Sequence, residues 1–181
     1  MTYSVDWIKQ KYDEGVQLKY IFFWGHTSKN NESVGKFVFS QWFPSPFVVD
    51  GVTFKTAEHW MMAQKARLFN DEDSFNKIVA ADKPGLVKDL GRQIKGFDEG
   101  IWSEEKFRIV KEGNAHKFNQ HPNLKDFLLA TGVAVIVEAS PNDAIWGIGL
   151  PQDVPEIENP HRWRGLNLLG FALMEVRDAL S

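Results

Sequence analysis

Two charged side chains in "TAEHWMMAQKA", residues 56–66, have types and spacing that could do chemistry. Wound as a helix at about 100° per residue, the segment and the residues after it put Trp60, Met61, Met62, Leu68 and Phe69 on one broad apolar arc. Glu58 and Lys65 fall on the same arc. They stand two turns apart, ~10 Å along the axis, beyond the three- or four-residue spacing of helical ion pairs. That distance suits an acid and an amine reaching a small ligand from two sides. A structural explanation exists beside it. A first-turn carboxylate is favoured by the helix dipole, and a lysine can snorkel out of an apolar arc. On pattern alone the structural explanation comes first.

A second constellation is "EASPNDAIWGIG". Asp143 and Trp146 follow directly on the strongest strand pattern of the chain. Gly147 and Gly149 allow close backbone approach or a positive φ. A strand that delivers an acid and an indole to a glycine-rich loop is a common site geometry. The plainer reading is an Asx turn at Asn142–Asp143 with Trp146 plugging the core. A third is "RWRGLNLLG", where Arg162, Arg164 and Asn167 precede the last helix, and Arg92 in "LGRQI" can join them. Basic side chains beside a helix N-terminus make an anion site; each arginine taken singly reads as a solvated surface charge.

The elements that must position these residues follow from pattern. Residues 4–14 read as a short helix and "YIFFWGH", 20–26, as a strand. "TSKNNESVGK" is a polar loop, and "FVFSQWF" a strand or extended segment stopped by "PSP". In "FVVDGVTF" the Asp-Gly pair marks a hairpin. A helix follows from about Ala57 to Phe69, with Thr56 as N-cap. "DEDSFNKIVAA" is a helix, and Pro84 opens another. "SEEKFRIVKEGNAHKFNQ" is helical, with Phe107, Val110, Asn114 and Phe118 as its stripe. "HPNLKDFLLATG" is a helix ended by Gly132, and "VAVIVEAS" is a strand. A long Pro-, Gly- and Trp-rich loop leads to the closing helix "NLLGFALMEVRDAL". The expected fold class is α+β, a helix-rich single domain with a small β-sheet.

Composition narrows the function classes. With 181 residues, 43% of them hydrophobic, the chain can bury a core of its own. A net charge of −3 gives no global basic field for non-specific nucleic-acid binding. There is no cysteine, so thiolate metal sites and disulfides are excluded. His26, His59, His116, His121 and His161 show no metal-ligand spacing. No metal and no cofactor are expected. The first twenty residues are too charged for a signal peptide, and "VAVIV" is far too short to span a bilayer. A monomer in the cytoplasm or nucleus, without membrane attachment, is expected. Seven Trp and 14 Phe allow stacking on a ring-shaped ligand as well as a dense core.

Taken together, "FSQWFPSPFVVDGVTFKTAEHWMMAQKA", the "LGR" at 90–92, "HKFNQHPNLKDFLLATG", "VEASPNDAIWGIG" and "RGLNLLGFALMEVR" resemble the NADAR family, also called YbiA-like or DUF1768. No single motif decides this; the order and spacing of the set do. The resemblance covers residues 20–181 and leaves residues 1–19 as an N-terminal extension packing on the domain. It implies an α+β fold and an N-glycosidase activity. Some members are associated with phosphoribosylamino-pyrimidine intermediates of riboflavin synthesis, others with removing ADP-ribose from the exocyclic amine of guanine in DNA. The family's acid in "T-x-E-H" falls on Glu58 and its lysine on Lys65. The Asp and Trp of "ND-x-x-WG" fall on Asp143 and Trp146, the tryptophan between the central helices on Trp102, and the asparagine of "G-x-N-x-L-G" on Asn167. "FFWGH" resembles the longer-loop branch, where riboflavin-linked members carry a shorter "FY". This favours the ADP-ribosyl substrate, and the long loop 150–163 leaves room for it. The implied substrate-binding set is Trp24, Gly25, Arg92, Trp102, Trp146, Gly147, Gly149, Arg164 and Asn167; the implied ligand is ADP-ribose or ADP-ribosylated guanine.

A glycosylamine opens to an imine when an acid protonates its ring oxygen. An unprotonated lysine can then exchange with that imine, release the base amine and leave a Schiff base for water. Burial lowers a lysine pKa, so Lys65 is the expected nucleophile, Glu58 the acid–base partner, and Asp143 an orienting or proton-transferring group. In the direct alternative Glu58 and Asp143 act as paired carboxylates and Lys65 only binds. Trp102 or Trp146 would stack on nucleobase or adenine. A module of a different class, binding ADP-ribose without cleaving it, would use nearly the same residues.

Overall fold

The structure, a computed structural model, describes residues 1–28 and 32–181. The polar loop expected from Thr27 includes residues 29–31, which lie outside the described residues. The architecture is α+β and helix-rich, with seven α-helices and four short strands among the described residues. The strands form two separate two-stranded pairs. Backbone contacts divide the chain into two compact units: Met1–Ser40 with Asn123–Ser181, and Gln41–Pro122.

In the first unit, α1 (Val5–Asp13) is capped by Ser4, whose hydroxyl accepts the Trp7 N–H. Ile8 on its inner side is fully buried, and His161 Nε2 lies 2.8 Å from Asp13 Oδ1. Strand β1 (Tyr20–Phe23) pairs in parallel with β4 (Val135–Glu138), Tyr20 facing Val135 and Phe23 facing Glu138. A parallel pair needs a crossover, and the whole second unit lies in the chain between these two strands. Val135, Ile136 and Val137 are fully buried, the continuous apolar run of a strand covered on both faces. Helix α6 (Pro122–Ala130) brings Phe127 to Phe39 at 5.4 Å, and α7 (Leu168–Leu180) packs on β4.

The strand or extended segment expected at "FVFSQWF" is not formed. Lys36–Phe39 form a 3₁₀ turn, with Val38 N–H on Gly35 O at 3.0 Å and Ser40 N–H on Phe37 O at 3.2 Å. Val38 and Phe39 are both buried. Aromatic and β-branched content alone gave a strand signal that local packing overrides. The strand expected over 20–26 stops at Phe23.

In the second unit, β2 (Phe47–Val49) and β3 (Val52–Phe54) make the expected hairpin. Asp50 and Gly51 both take positive φ, as a two-residue primed turn demands. Helix α2 (Ala57–Leu68) starts at the expected cap, Thr56 Oγ1 accepting the His59 N–H. It is packed by α3 (Glu72–Ala80), α4 (Pro84–Gly91) and α5 (Glu99–Gln120). Ala57 through Ala63 are therefore all buried, not one arc of them. Leu68 and Phe69, placed on that arc by pattern, are only half-buried. Helix α5 begins at Glu99, earlier than its periodicity indicates, because Asp98 Oδ1 caps the Ile101 N–H at 2.9 Å. Trp102 accordingly sits in the first turn of a helix and not between helices.

Candidate functional site

Lys65 is where α2 leaves its packed half, and the surroundings of its amine are unlike a surface lysine's. Nζ donates to the Gly91 carbonyl at 3.0 Å. That carbonyl ends α4, where helix carbonyls lack partners and the dipole is negative. The amine stands 4.1 Å from the centroid of the Phe97 ring and 5.3 Å from that of Trp102. Burial pushes the Lys65 pKa down, and Glu99 opposes the shift without cancelling it. The site thus holds a half-buried amine whose neutral form is easier to reach than in water. Such an amine can act as a nucleophile.

Close helix packing makes this cradle. A Cβ on Gly91 would run into the Met62 thioether, so a larger residue there would force the Met62 side chain to move where the end of α4 comes down beside α2. Two turns up α2, Glu58 is 4% exposed, and its N–H is held by the Gln41 carbonyl at 3.0 Å. Gln41 Nε2 donates to Asn114 Oδ1 at 3.1 Å, and Asn114 Nδ2 to Val110 O at 2.9 Å. The backbone that carries Glu58 is therefore fixed by a buried amide relay. The same helix holds a purely structural polar group in His59. Its Nε2 faces the Ala81 carbonyl at 3.1 Å, so it carries the proton, and Nδ1 takes the Thr56 hydroxyl at 2.8 Å.

Trp102 is 9% exposed, with its ring turned to Lys65. Arg92 is exposed and paired with Asp89 at 3.0 Å in a helical i,i+3 bridge. Pattern reading passed over two members of the cradle, Gly91 and Phe97. Phe97 carried a signal, an aromatic between Gly96 and the capping Asp98. It also passed over Lys117, which stands one turn after Asn114 on the apolar stripe of α5. Lys117 is fully buried, and burial pushes its pKa down to about 7.

The Asp143–Asn167 segment belongs to the other unit. Asp143 Oδ1 accepts the N–H groups of Ile145 and Trp146 at 2.9 and 2.8 Å, the Asx turn that pattern allowed. Trp146 is half-buried and so is not a core plug. Gly147 is needed by the fold: a Cβ there would stand 2.8 Å from Glu138 O and 3.0 Å from Asp143 O. Gly149 has φ +67 and packs against the Arg164 backbone; the Arg164 side chain is exposed. Asn167 is fully buried. Its Oδ1 accepts the Glu138 N–H at 3.0 Å and its Nδ2 donates to Ile136 O at 2.9 Å, so its amide extends the edge of β4. Near the start of the same unit, Trp24 is 60% exposed and lines a cavity of about 310 Å³ with Phe22, Thr27, Lys36, Phe37 and Gln152. Gly25, with φ +84, turns the chain out of β1.

A helix-rich α+β fold with this ordered set of motifs defines a class, and the chain belongs to the NADAR domain family, whose model matches residues 22–181. Its relatives include an N-glycosidase of Acanthamoeba polyphaga mimivirus, 46% identical over 169 residues, 88% of this chain and 95% of the relative. N-glycosidase YbiA of Escherichia coli is 34% identical over 143 residues, 79% of this chain and 81% of YbiA. Protein irg-1 of Caenorhabditis elegans is 33% identical over 159 residues, 79% and 75% of the two chains. The NMR structure of E. coli YbiA superposes with a TM-score of 0.72 at 31% identity, covering 91% of this chain and 86% of that one. Among the described residues no helix is long and apolar enough to cross a membrane.

Proposed function

We propose that the chain is an N-glycosidase that hydrolyses the bond between a ribose anomeric carbon and an exocyclic amine, removing ADP-ribose from guanine bases in DNA through a Schiff base on Lys65. The N-glycosidase class is supported by the relatives that carry that name. The observation that supports the route is the Lys65 amine, half-buried between a helix-end carbonyl and two aromatic rings, with its pKa lowered by desolvation.

Glu58 gives a proton to the ribose ring oxygen, and the C1–O bond breaks to an open-chain imine on the base nitrogen. Neutral Lys65 adds to C1. A proton moves to the base nitrogen, which leaves as the free amine, and C1 is then joined to Nζ as an imine. Water adds to that imine, Lys65 departs with a proton, and the ribose aldehyde recloses through its hydroxyl. Glu58 and Lys65, seven positions apart, lie on one side of α2 and suit these two roles.

The test uses the full chain with a DNA oligonucleotide carrying ADP-ribosylated guanine. Release of free ADP-ribose and return of unmodified guanine is the expected result. Binding without release would make the protein a reader. Release from a phosphoribosylamino-pyrimidine and not from the oligonucleotide would move the substrate to the riboflavin intermediates.

A further inference from the structure

We infer that Phe97 is the stacking surface for the departing base. This deepens the N-glycosidase reading and rests on it. Two rings border the Lys65 amine, and they differ in what they can offer a ligand. Nζ lies over both rings, 4.1 Å from the Phe97 centroid and 5.3 Å from that of Trp102, but Trp102 is 9% exposed and Phe97 41%, so Phe97 keeps open surface that a ligand can meet.

An exposed phenylalanine on a loose loop would mean little, since single exposed apolar side chains are ordinary. Phe97 is held from both sides. Before it, the Lys95 N–H donates to Asp71 Oδ2 at 2.9 Å. Asp71 is itself buried, and the Lys95 and Ser74 hydrogen bonds pull its pKa down to about 2. After it, Asp98 caps α5 through the Ile101 N–H at 2.9 Å. The ring also meets Phe69, centroids 5.3 Å apart and planes at 68°. An apolar surface fixed in this way binds at a lower ordering cost than a mobile one.

Reach agrees with the assignment. An amine poised to attack stands about 3–3.5 Å from the carbon it will join. The leaving base hangs from that same carbon through one nitrogen. A base carried on that carbon is brought near a ring 4.1 Å from Nζ, so the ~4.5–7 Å centroid spacing that aromatic pairs prefer is within its reach.

The experiment compares the full chain with Phe97→Ala, Phe97→Tyr and Phe97→Leu on the ADP-ribosyl-guanine oligonucleotide. It measures KM, kcat and the inhibition constant of free ADP-ribose. Phe97→Ala is expected to raise KM roughly tenfold, the scale of one lost base–aromatic stack. The ADP-ribose inhibition constant should stay put, because the base is absent from that ligand. Phe97→Tyr should restore KM and Phe97→Leu should not. Unchanged KM in Phe97→Ala, or full rescue by Phe97→Leu together with a shifted pH profile of kcat, would reduce Phe97 to a shield over Lys65 and overturn the inference alone. A wild-type chain inactive on the oligonucleotide would overturn it together with the ADP-ribosyl-guanine substrate, and one inactive on a phosphoribosylamino-pyrimidine as well would overturn the N-glycosidase reading.

Discussion

The α2 segment and the Asp143–Asn167 segment look alike as sequence, and the structure uses them differently. Both offer a carboxylate, a tryptophan close by and a polar side chain among apolar neighbours. In the Asp143–Asn167 segment those groups serve the backbone: Asp143 Oδ1 closes a turn and the Asn167 amide extends β4. At α2, one charged group is left half-open between rings, with a carbonyl as hydrogen-bond partner and burial working against its charge. Polar residues in a pattern are thus weak evidence for chemistry until the partners of their backbone neighbours are known. A side chain that completes the main chain's own hydrogen bonding has little left for a ligand.

The strongest way to break this contrast is at Lys65. Lys65→Ala should lower turnover by roughly 10²–10⁴-fold or more, the range seen when a reacting group is removed. The ADP-ribose-induced rise in Tm should persist. Lys65→Arg should fail as well, since a guanidinium stays protonated.

Asn167→Ala should act on stability in place of chemistry. It leaves the Glu138 N–H and the Ile136 carbonyl without their amide partner. The expected cost is about 2–5 kcal/mol in denaturant unfolding. Activity per folded molecule should be retained; a selective loss of turnover at full stability would assign Asn167 to the substrate.

Lys117 supplies a control amine, fully buried where Lys65 is not. Its pKa falls from 10.5 unfolded to about 7 folded. The unfolded chain therefore binds more protons between about pH 7 and 10.5, and stability should rise with pH through that window. Lys65, shifted in the same direction, adds to the rise. Lys117→Met should flatten it by removing the larger contribution. Tm measured from pH 7 to 10 checks this, and an unchanged slope in the variant would assign the rise elsewhere.

Asp143→Asn is expected to have the smallest effect on the fold. An amide oxygen can accept both turn hydrogen bonds, so stability should stay within ~0.5 kcal/mol of wild type. Asp143→Ala, which drops both, should lose about 1 kcal/mol or more. If Asp143→Asn loses turnover at wild-type Tm, the carboxylate has a chemical task as well, and the contrast between the two segments narrows.

Much of the architecture was legible because its causes are local. Thr56 as a cap, Asp50–Gly51 as a turn and Pro84 as a helix opener act within a few residues, and each does so here. The 3₁₀ turn at Lys36–Phe39 was not legible, because an aromatic run has no period of its own in four residues. The early start of α5 was masked by Gly100 in its first turn, although Asp98 was present to cap it. At the site, Lys65 stood out as a charge on an apolar helix. Gly91 and Phe97 did not, because their importance comes from where α4 ends against α2. The role of Asn167 depends on Ile136 and Glu138, some thirty positions away, which no local pattern reveals.

The central claim is that Lys65 forms a covalent imine with the sugar, and trapping during turnover tests it most directly. Borohydride added while the enzyme acts on the ADP-ribosyl-guanine oligonucleotide reduces a carbon–nitrogen double bond to a stable secondary amine. The account predicts a protein heavier by the reduced ADP-ribosyl group, with the added mass on the peptide that contains Lys65 and absent from Lys65→Ala. Continued turnover with no adduct, Lys65→Arg active and Glu58→Gln dead, would contradict it and leave a direct carboxylate route in its place.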